Sequence, residues 1–194
     1  ASNNTAVGVS SLTSNTTGAE NTAVGKSAMI TNTTGSANTA LGRQSMYWNT
    51  TGANNTASGN GASQNNTTGA NNTAVGFEAL KANTTANYNT AFGRRSLYLN
   101  TTGTNNTGIG KDSLGGNTTG TNNTGLGLYA LGTTTTGSNN IAIGYGAVGS
   151  SATASGQCTL GNSSISNLRC NDTSISSLSD SRDKTDVIDS PYGL

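Results

Sequence analysis

Asn72-Thr73-Ala74-Val75-Gly76 recurs, with small substitutions, every seventeen residues along the chain. The nine regular copies start at Asn4, Asn21, Asn38, Asn55, Asn72, Asn89, Asn106, Asn123 and Asn140, with no insertion or deletion between them. A degraded tenth copy, Gln157-Cys158-Thr159-Leu160-Gly161, follows in step. Spacing this strict predicts an all-β fold, a parallel β-solenoid (β-roll) in which each seventeen-residue repeat is one coil. An insertion would put the strands of a coil out of line with both neighbours unless it were confined to a loop.

Composition bounds the alternatives. The 194 residues include 27 Gly, one Pro and no His, and only 9% are charged. Taken alone, a chain so rich in Gly, Asn, Thr and Ser reads as disordered. A disordered linker, however, has no reason to keep an apolar residue at one fixed place in every unit. There are too few large side chains for a single globular core. A solenoid needs fewer, because each coil closes a thin core and its backbone hydrogen bonds run to the coils above and below.

The net charge is +1 but unevenly spread: residues 1–168 carry six basic and three acidic side chains, residues 169–194 three basic and five acidic. A boundary is therefore expected near residue 165. Neither part is basic enough to suggest nucleic-acid binding, and no apolar run approaches membrane-spanning length. Ala1-Ser2-Asn3 occupy the last three places of a repeat, which leads us to expect a longer parent. Cys158 and Cys170 have no His nearby and make a poor metal set. They read as small half-buried residues, with a disulfide as the alternative. No metal site and no cofactor is expected.

Within one coil, Asn71 to Asn87, two short extended pieces alternate with two turns. The first strand is Asn72 to Gly76. Its glycine, present in all ten copies from Gly8 to Gly161, predicts a position with positive φ or no room for a Cβ. The second strand is expected at Ala79-Leu80, equivalent to Ser11-Leu12, Ala28-Met29, Ser45-Met46, Ser96-Leu97, Ser113-Leu114, Ala130-Leu131 and Ala147-Val148. Asn-Thr-Thr-Gly, as at Asn32 to Gly35, reads as the second turn, since Asn and Gly tolerate left-handed backbone and Asn caps its own chain.

Alternation puts Thr and the variable apolar residue on one face of the first strand, Asn and Ala on the other. The variable residue (Val7, Val24, Leu41, Ser58, Val75, Phe92, Ile109, Leu126, Ile143) is expected to form the core with the Leu or Met of the second strand. The small Ala opposite is expected to face a neighbouring chain. Coils this thin are marginal alone, because burying a Val or Leu contributes roughly 1.5–3 kcal/mol while ordering each residue's backbone costs roughly 1–2 kcal/mol. Packing between chains helps close that gap, so a homotrimer is expected, intertwined or side by side, as a rod about 48 Å long at about 4.8 Å per coil. The fourth copy, with Ser58 and Ser63 in place of apolar residues, predicts the loosest packing at 55–66.

Equivalent positions stack into ladders. The place after the recurring glycine carries two basic pairs, Lys26/Arg43 and Arg94/Lys111, which either attract anionic surface glycan or keep a solvated edge soluble. The next place carries Glu78, Arg95 and Asp112. Two carboxylates two coils apart sit about 9–10 Å from each other, near the inverting-glycosidase spacing. Arg95 between them predicts that both stay ionised and paired, so neither makes a good general acid. Tyr47 and Tyr98 share a ladder three coils apart, and Trp48 follows Tyr47 in a turn flank; these aromatics suit sugar stacking or burial between chains. The threonines lie in Asn-Thr-Thr-Gly turns, not in the flat Thr-x-Thr arrays of ice-binding solenoids. The turns lack the Asp of calcium-binding repeats.

Near the C-terminus, Ser179-Asp180-Ser181-Arg182-Asp183-Lys184-Thr185-Asp186-Val187 resembles the Ser-Asp-x-Arg-x-Lys-x-x-Ile/Val opening of the intramolecular chaperone of endosialidase-type phage tail spikes. Leu160 to Cys170 looks like the segment that leads into that domain. The repeats themselves are similar to phage tail fibres and to the heads of trimeric autotransporter adhesins. The resemblance implies a trimer whose chaperone cuts itself off at the Ser-Asp junction. Ser179 would be the nucleophile and Lys184 the general base, with Asp180 and Arg182 in the motif; a neutral lysine activates a serine hydroxyl. Most of that domain lies beyond Leu194, so this chain is not expected to cleave itself or to be an enzyme. The expected organisation is a solenoid over 1–161, a connector over 162–178 and the start of the chaperone at 179–194. The function it implies is a structural and adhesive fibre segment on a virion, contacting a host-surface glycan or other receptor. A bacterial surface adhesin head is the second reading, and a glycan-degrading spike the third, disfavoured by the shortage of acids.

Overall fold

A computed structural model describes residues 1–166, of which Ala1–Ser164 form one compact unit. It contains ten three-residue strands: β1 Thr5–Val7, β2 Thr22–Val24, β3 Thr39–Leu41, β4 Thr56–Ser58, β5 Thr73–Val75, β6 Thr90–Phe92, β7 Thr107–Ile109, β8 Thr124–Leu126, β9 Ile141–Ile143 and β10 Cys158–Leu160. They form one parallel sheet in chain order. The register is the repeat itself: Thr73 pairs with Thr90, Ala74 with Ala91 and Val75 with Phe92. The parallel β-solenoid read from the seventeen-residue spacing is thus the fold.

The grouping of faces along the first strand holds, but the sides are reversed. Ala23, Ala40, Ala57, Ala74, Ala91 and Ala142 are fully buried inside the coil, and Asn21, Asn38, Asn55, Asn72, Asn89, Asn106, Asn123 and Asn140 are buried beside them. The variable residues point outward: Val7, Val24, Leu41, Phe92, Ile109, Leu126 and Ile143 are all exposed. The interior is too narrow for two large side chains. Met29, Met46, Leu80, Leu97, Leu114 and Leu131 already fill it from the opposite wall, so only Ala or Gly fits across from them. A Cβ added to Gly108 would lie 2.5 Å from Ser96 Oγ, and one on Gly125 2.6 Å from Ser113 Oγ.

The opposite wall is not a strand. Glu78 (φ 53°) and Leu80 (φ 52°) are both left-handed, as are Ser27 and Met29, Arg95 and Leu97, and Asp112 and Leu114. Two left-handed residues flanking one ordinary residue turn the chain sharply and aim the Leu inward. A third left-handed residue (Ala37, Asn54, Asn71, Tyr88, Asn105) precedes each strand. The Asn-Thr-Thr-Gly turn contains none among its non-glycine residues. In the ninth coil the pattern ends: Val148 is absent from the left-handed set and stands exposed, as expected where a β-branched side chain disfavours that conformation.

Two asparagine ladders satisfy the polar interior. In the first, each Asn Oδ1 accepts the backbone N–H of its counterpart one coil on, as from Asn72 N to Asn55 Oδ1 at 3.0 Å, while its Nδ2 donates to a turn carbonyl, Asn72 to Ala86 O at 2.8 Å. In the second, Nδ2 donates to the Oδ1 one coil back, Asn66 to Asn49 at 2.8 Å, and to the carbonyl three residues on, Asn66 to Gly69 O at 2.9 Å. Buried amides are tolerable because both ends are bonded. The second ladder stops at Thr134, and Asn117 Oδ1 is left buried without a partner. Thr134→Asn restores the missing donor and is expected to raise stability by about 1 kcal/mol, read as a rise in thermal midpoint.

The fourth coil's weakness narrows to one side chain. Ser58 faces outward and removes nothing from the interior. Ser63 takes the place of the Leu or Met, is buried, and its Oγ has no partner. Its backbone already has the left-handed φ of 49° that Leu80 adopts at 52°. Ser63→Leu is therefore expected to stabilise the rod by about 1–3 kcal/mol, through burial and removal of an orphaned hydroxyl. Chemical denaturation checks this; an unchanged midpoint would show that Met46 and Leu80 already fill the space.

Candidate functional site

The chain turns out of each strand at the recurring glycine, and the two residues that follow form parallel ladders on one edge. Lys26 and Arg43 are exposed in successive coils, and Asn60 follows them. Arg94 and Lys111 are likewise exposed in successive coils. Tyr47 is half-buried and Trp48 exposed, their rings edge to face at 4.8 Å. Of these residues, Arg94, Lys111 and Tyr98 are brought to one place: a cleft of about 620 Å³ spanning the sixth to ninth coils. Lys26, Arg43, Tyr47 and Trp48 do not line it.

The cleft exists because one ladder loses its side chains. The position held by Tyr47, Gln64, Lys81 and Tyr98 becomes Gly115 and then Gly132, and beside them Leu99 gives way to Gly116. These glycines make the floor, Tyr98 and Leu99 one wall, and Tyr129 and Val148 stand further along. Arg95, Asp112 and Tyr129 belong to the cleft as well; the ladder pattern marks Arg95 and Asp112 only as an ion-paired set, and nothing in the repeat marks Tyr129 as a ligand contact. The signal for the cleft was the Tyr-to-Gly-to-Gly step.

Charge in the cleft is held close but lightly. The Arg95 guanidinium lies 4.1 Å from the Tyr98 ring centroid, a cation–π stack. Lys111 Nζ is 3.3 Å from the Tyr129 hydroxyl and 3.8 Å from Asp112 Oδ2. Arg94 is 4.0 Å from the same carboxylate. Glu78 is bonded to Lys81 at 2.6 Å and lies 4.0 Å from Arg95 Nε. Each carboxylate therefore has two cations beside it, but Arg95 is not shared between them as the ladder led us to expect: it lies beside Glu78 only, and Asp112 pairs with Arg94 and Lys111. These pairs are partly exposed and add little stability. Arg95 Nε is buried and makes no hydrogen bond to another described residue.

Cys158 is exposed on β10 rather than half-buried; Cys170 lies outside the described residues. Ser179, Asp180, Arg182 and Lys184, the junction residues implied by resemblance, also lie outside them. Among the described residues, no group of three or more Cys, Asp or Glu side chains is placed to hold a metal ion. No protein-family model matches the chain, and neither a curated protein nor a solved structure is significantly similar to it.

Proposed function

We propose that residues 1–161 are a structural and adhesive segment of a homotrimeric surface fibre, a phage tail fibre or spike that contributes to host-cell attachment. The observation that supports this reading is the outward face of the sheet. Val7, Val24, Leu41, Phe92, Ile109, Leu126, Ile143 and Leu160 are 37–56% exposed and stack in register, coil on coil. Ser58 and the half-buried Val75 alone depart from the row. At about 4.8 Å per strand this is an apolar stripe about 43 Å long, whereas monomer surfaces ordinarily carry such residues singly.

A straight row with that repeat distance is matched by another copy of the same row. Parallel copies around a common axis set each residue against its own equivalent, which is the packing a fibre with one axis requires. The inter-chain contact expected from the sequence is retained, with the large apolar residue as its carrier in place of alanine. The tail-fibre reading is preferred to a bacterial adhesin head because of the chaperone-like Ser179 to Val187. A glycan-degrading spike is disfavoured because Glu78 and Asp112 are both engaged by cations. Sedimentation equilibrium is expected to return three times the 19.3 kDa of the chain; a folded monomer at micromolar concentration would overturn the reading.

A further inference from the structure

We infer that the cleft over the sixth to ninth coils is a binding site for a pyranose sugar carrying an anionic group, a carboxylate or a phosphate. This takes the adhesive reading to a ligand class, but it stands on the cleft alone. None of the outward apolar residues of β6 to β9 lines the cleft, so stripe and cleft are tested separately.

The volume of about 620 Å³ lies within the range of small-molecule sites. It is set between side chains whose types match one ligand. Three cations, Arg94, Arg95 and Lys111, line the cleft with one acid, Asp112; Glu78, 4.0 Å from Arg95 Nε, is itself bonded to Lys81 at 2.6 Å, so an excess of positive charge remains for an anion. The Arg95 fork is held by its stack on Tyr98, and neither it nor the Arg94 guanidinium donates a hydrogen bond to another described residue. Nε of Arg95 is buried, but a stacked guanidinium whose two terminal nitrogens are unbonded is suited to a carboxylate or phosphate, which accepts two parallel bonds from that end. The Asp112 carboxylate, with cations no nearer than 3.8 Å, can accept from sugar hydroxyls. Tyr129 adds an exposed ring for the apolar face of a pyranose, and the bare backbone of Gly115, Gly116 and Gly132 lets the ring approach.

The other basic pair lacks this arrangement. Lys26 and Arg43 share a ladder with Arg94 and Lys111 but have no adjoining glycine floor, because Ile30, Tyr47 and Gln64 occupy the equivalent places. Charge alone therefore does not distinguish the two sites, and neither do aromatic rings, since Tyr47 and Trp48 lie by the other pair; the glycine floor does.

Isothermal titration of the intact chain tests the site with four probes: a glucuronate-containing disaccharide, its glucose counterpart, glucose 6-phosphate and inorganic phosphate. The acidic disaccharide, the sugar phosphate or both are expected to bind at least tenfold more tightly than the glucose disaccharide and inorganic phosphate. Which of them binds identifies the anion. Lys111→Gln and Tyr129→Ala, both at exposed positions, are expected to weaken that binding at least tenfold with unchanged circular dichroism. Lys26→Gln with Arg43→Gln is expected to leave it unchanged. Absence of binding, equal binding of the neutral disaccharide, equal binding of inorganic phosphate, or equal loss in the Lys26/Arg43 variant would each overturn the proposal. None of these outcomes depends on the sedimentation result.

Discussion

Gly76→Ala is expected to abolish stable folding of the rod, whereas Gly61→Ser is expected to leave it nearly unchanged, although both glycines have positive φ. Gly76 sits at φ 130° and Gly61 at φ 65°. The second value is ordinary left-handed backbone, which Ser27, Gln44, Glu78 and Arg95 adopt at the same place in other coils. The nearest atom to a Cβ on Gly61 is Glu78 Cγ at 3.6 Å, a normal contact. A Cβ on Gly76 would lie 2.6 Å from the carbonyl oxygen of Gly93 and 2.7 Å from its carbon. Those are backbone atoms of the next coil, which cannot step aside without moving the coil.

The substitution would therefore part β5 from β6 next to the bond that Gly93 N donates to Val75 O at 2.8 Å. Unfavourable φ alone costs about 1–3 kcal/mol, and the clash adds to it. The loss is a large share of a total stability of about 5–15 kcal/mol. Thermal unfolding by circular dichroism is the measurement. A Gly76→Ala chain melting within a few degrees of the parent would contradict the close stacking of the glycine ladder.

The repeat spacing made the fold legible because in a solenoid the period is the register, and nine unbroken copies leave no other alignment of strands. The face assignment was only half legible. Alternation says which residues share a side, not which side is inside. Size suggested that Val24 or Phe92 is core and Ala23 is not. The opposite holds because the coil is thin, Met29 or Leu80 spans it, and the remaining width admits a methyl group. Buried Asn was equally unexpected from polarity alone. It becomes favourable only when seventeen-residue stacking supplies each amide with a partner above and below.

The second wall was misread as a strand because Ala79-Leu80 carries no left-handed signature, Gly and Asn being the usual residues there. Its inward-facing Leu was nevertheless identified correctly. At the cleft, the basic pair Arg94/Lys111 and Tyr98 were visible as ladders. The depth was not, since it arises from what Gly115, Gly116 and Gly132 leave empty rather than from what any residue adds.

If the proposed trimer forms through the apolar stripe, Ile109→Asp combined with Leu126→Asp is expected to leave single chains. Both residues are outward on adjacent strands, β7 and β8, paired directly across the sheet. In one chain each side chain is about 40% exposed, so a carboxylate there remains hydrated and the coil interior, built from Leu97, Leu114 and Leu131, is untouched. In a parallel trimer the same substitutions place six carboxylates along the axis, where each loses water and faces its like-charged equivalents. An uncompensated buried charge costs several kcal/mol, enough to shift dissociation by orders of magnitude. Thr102→Asp with Thr119→Asp supplies the comparison: those threonines are also exposed and also one coil apart, but lie on the Asn-Thr-Thr-Gly turn. Sedimentation should find the first pair monomeric and the second trimeric. If both pairs stayed trimeric, the apolar stripe could not be the surface through which the chains meet, and the interface would have to be sought on another face of the coil.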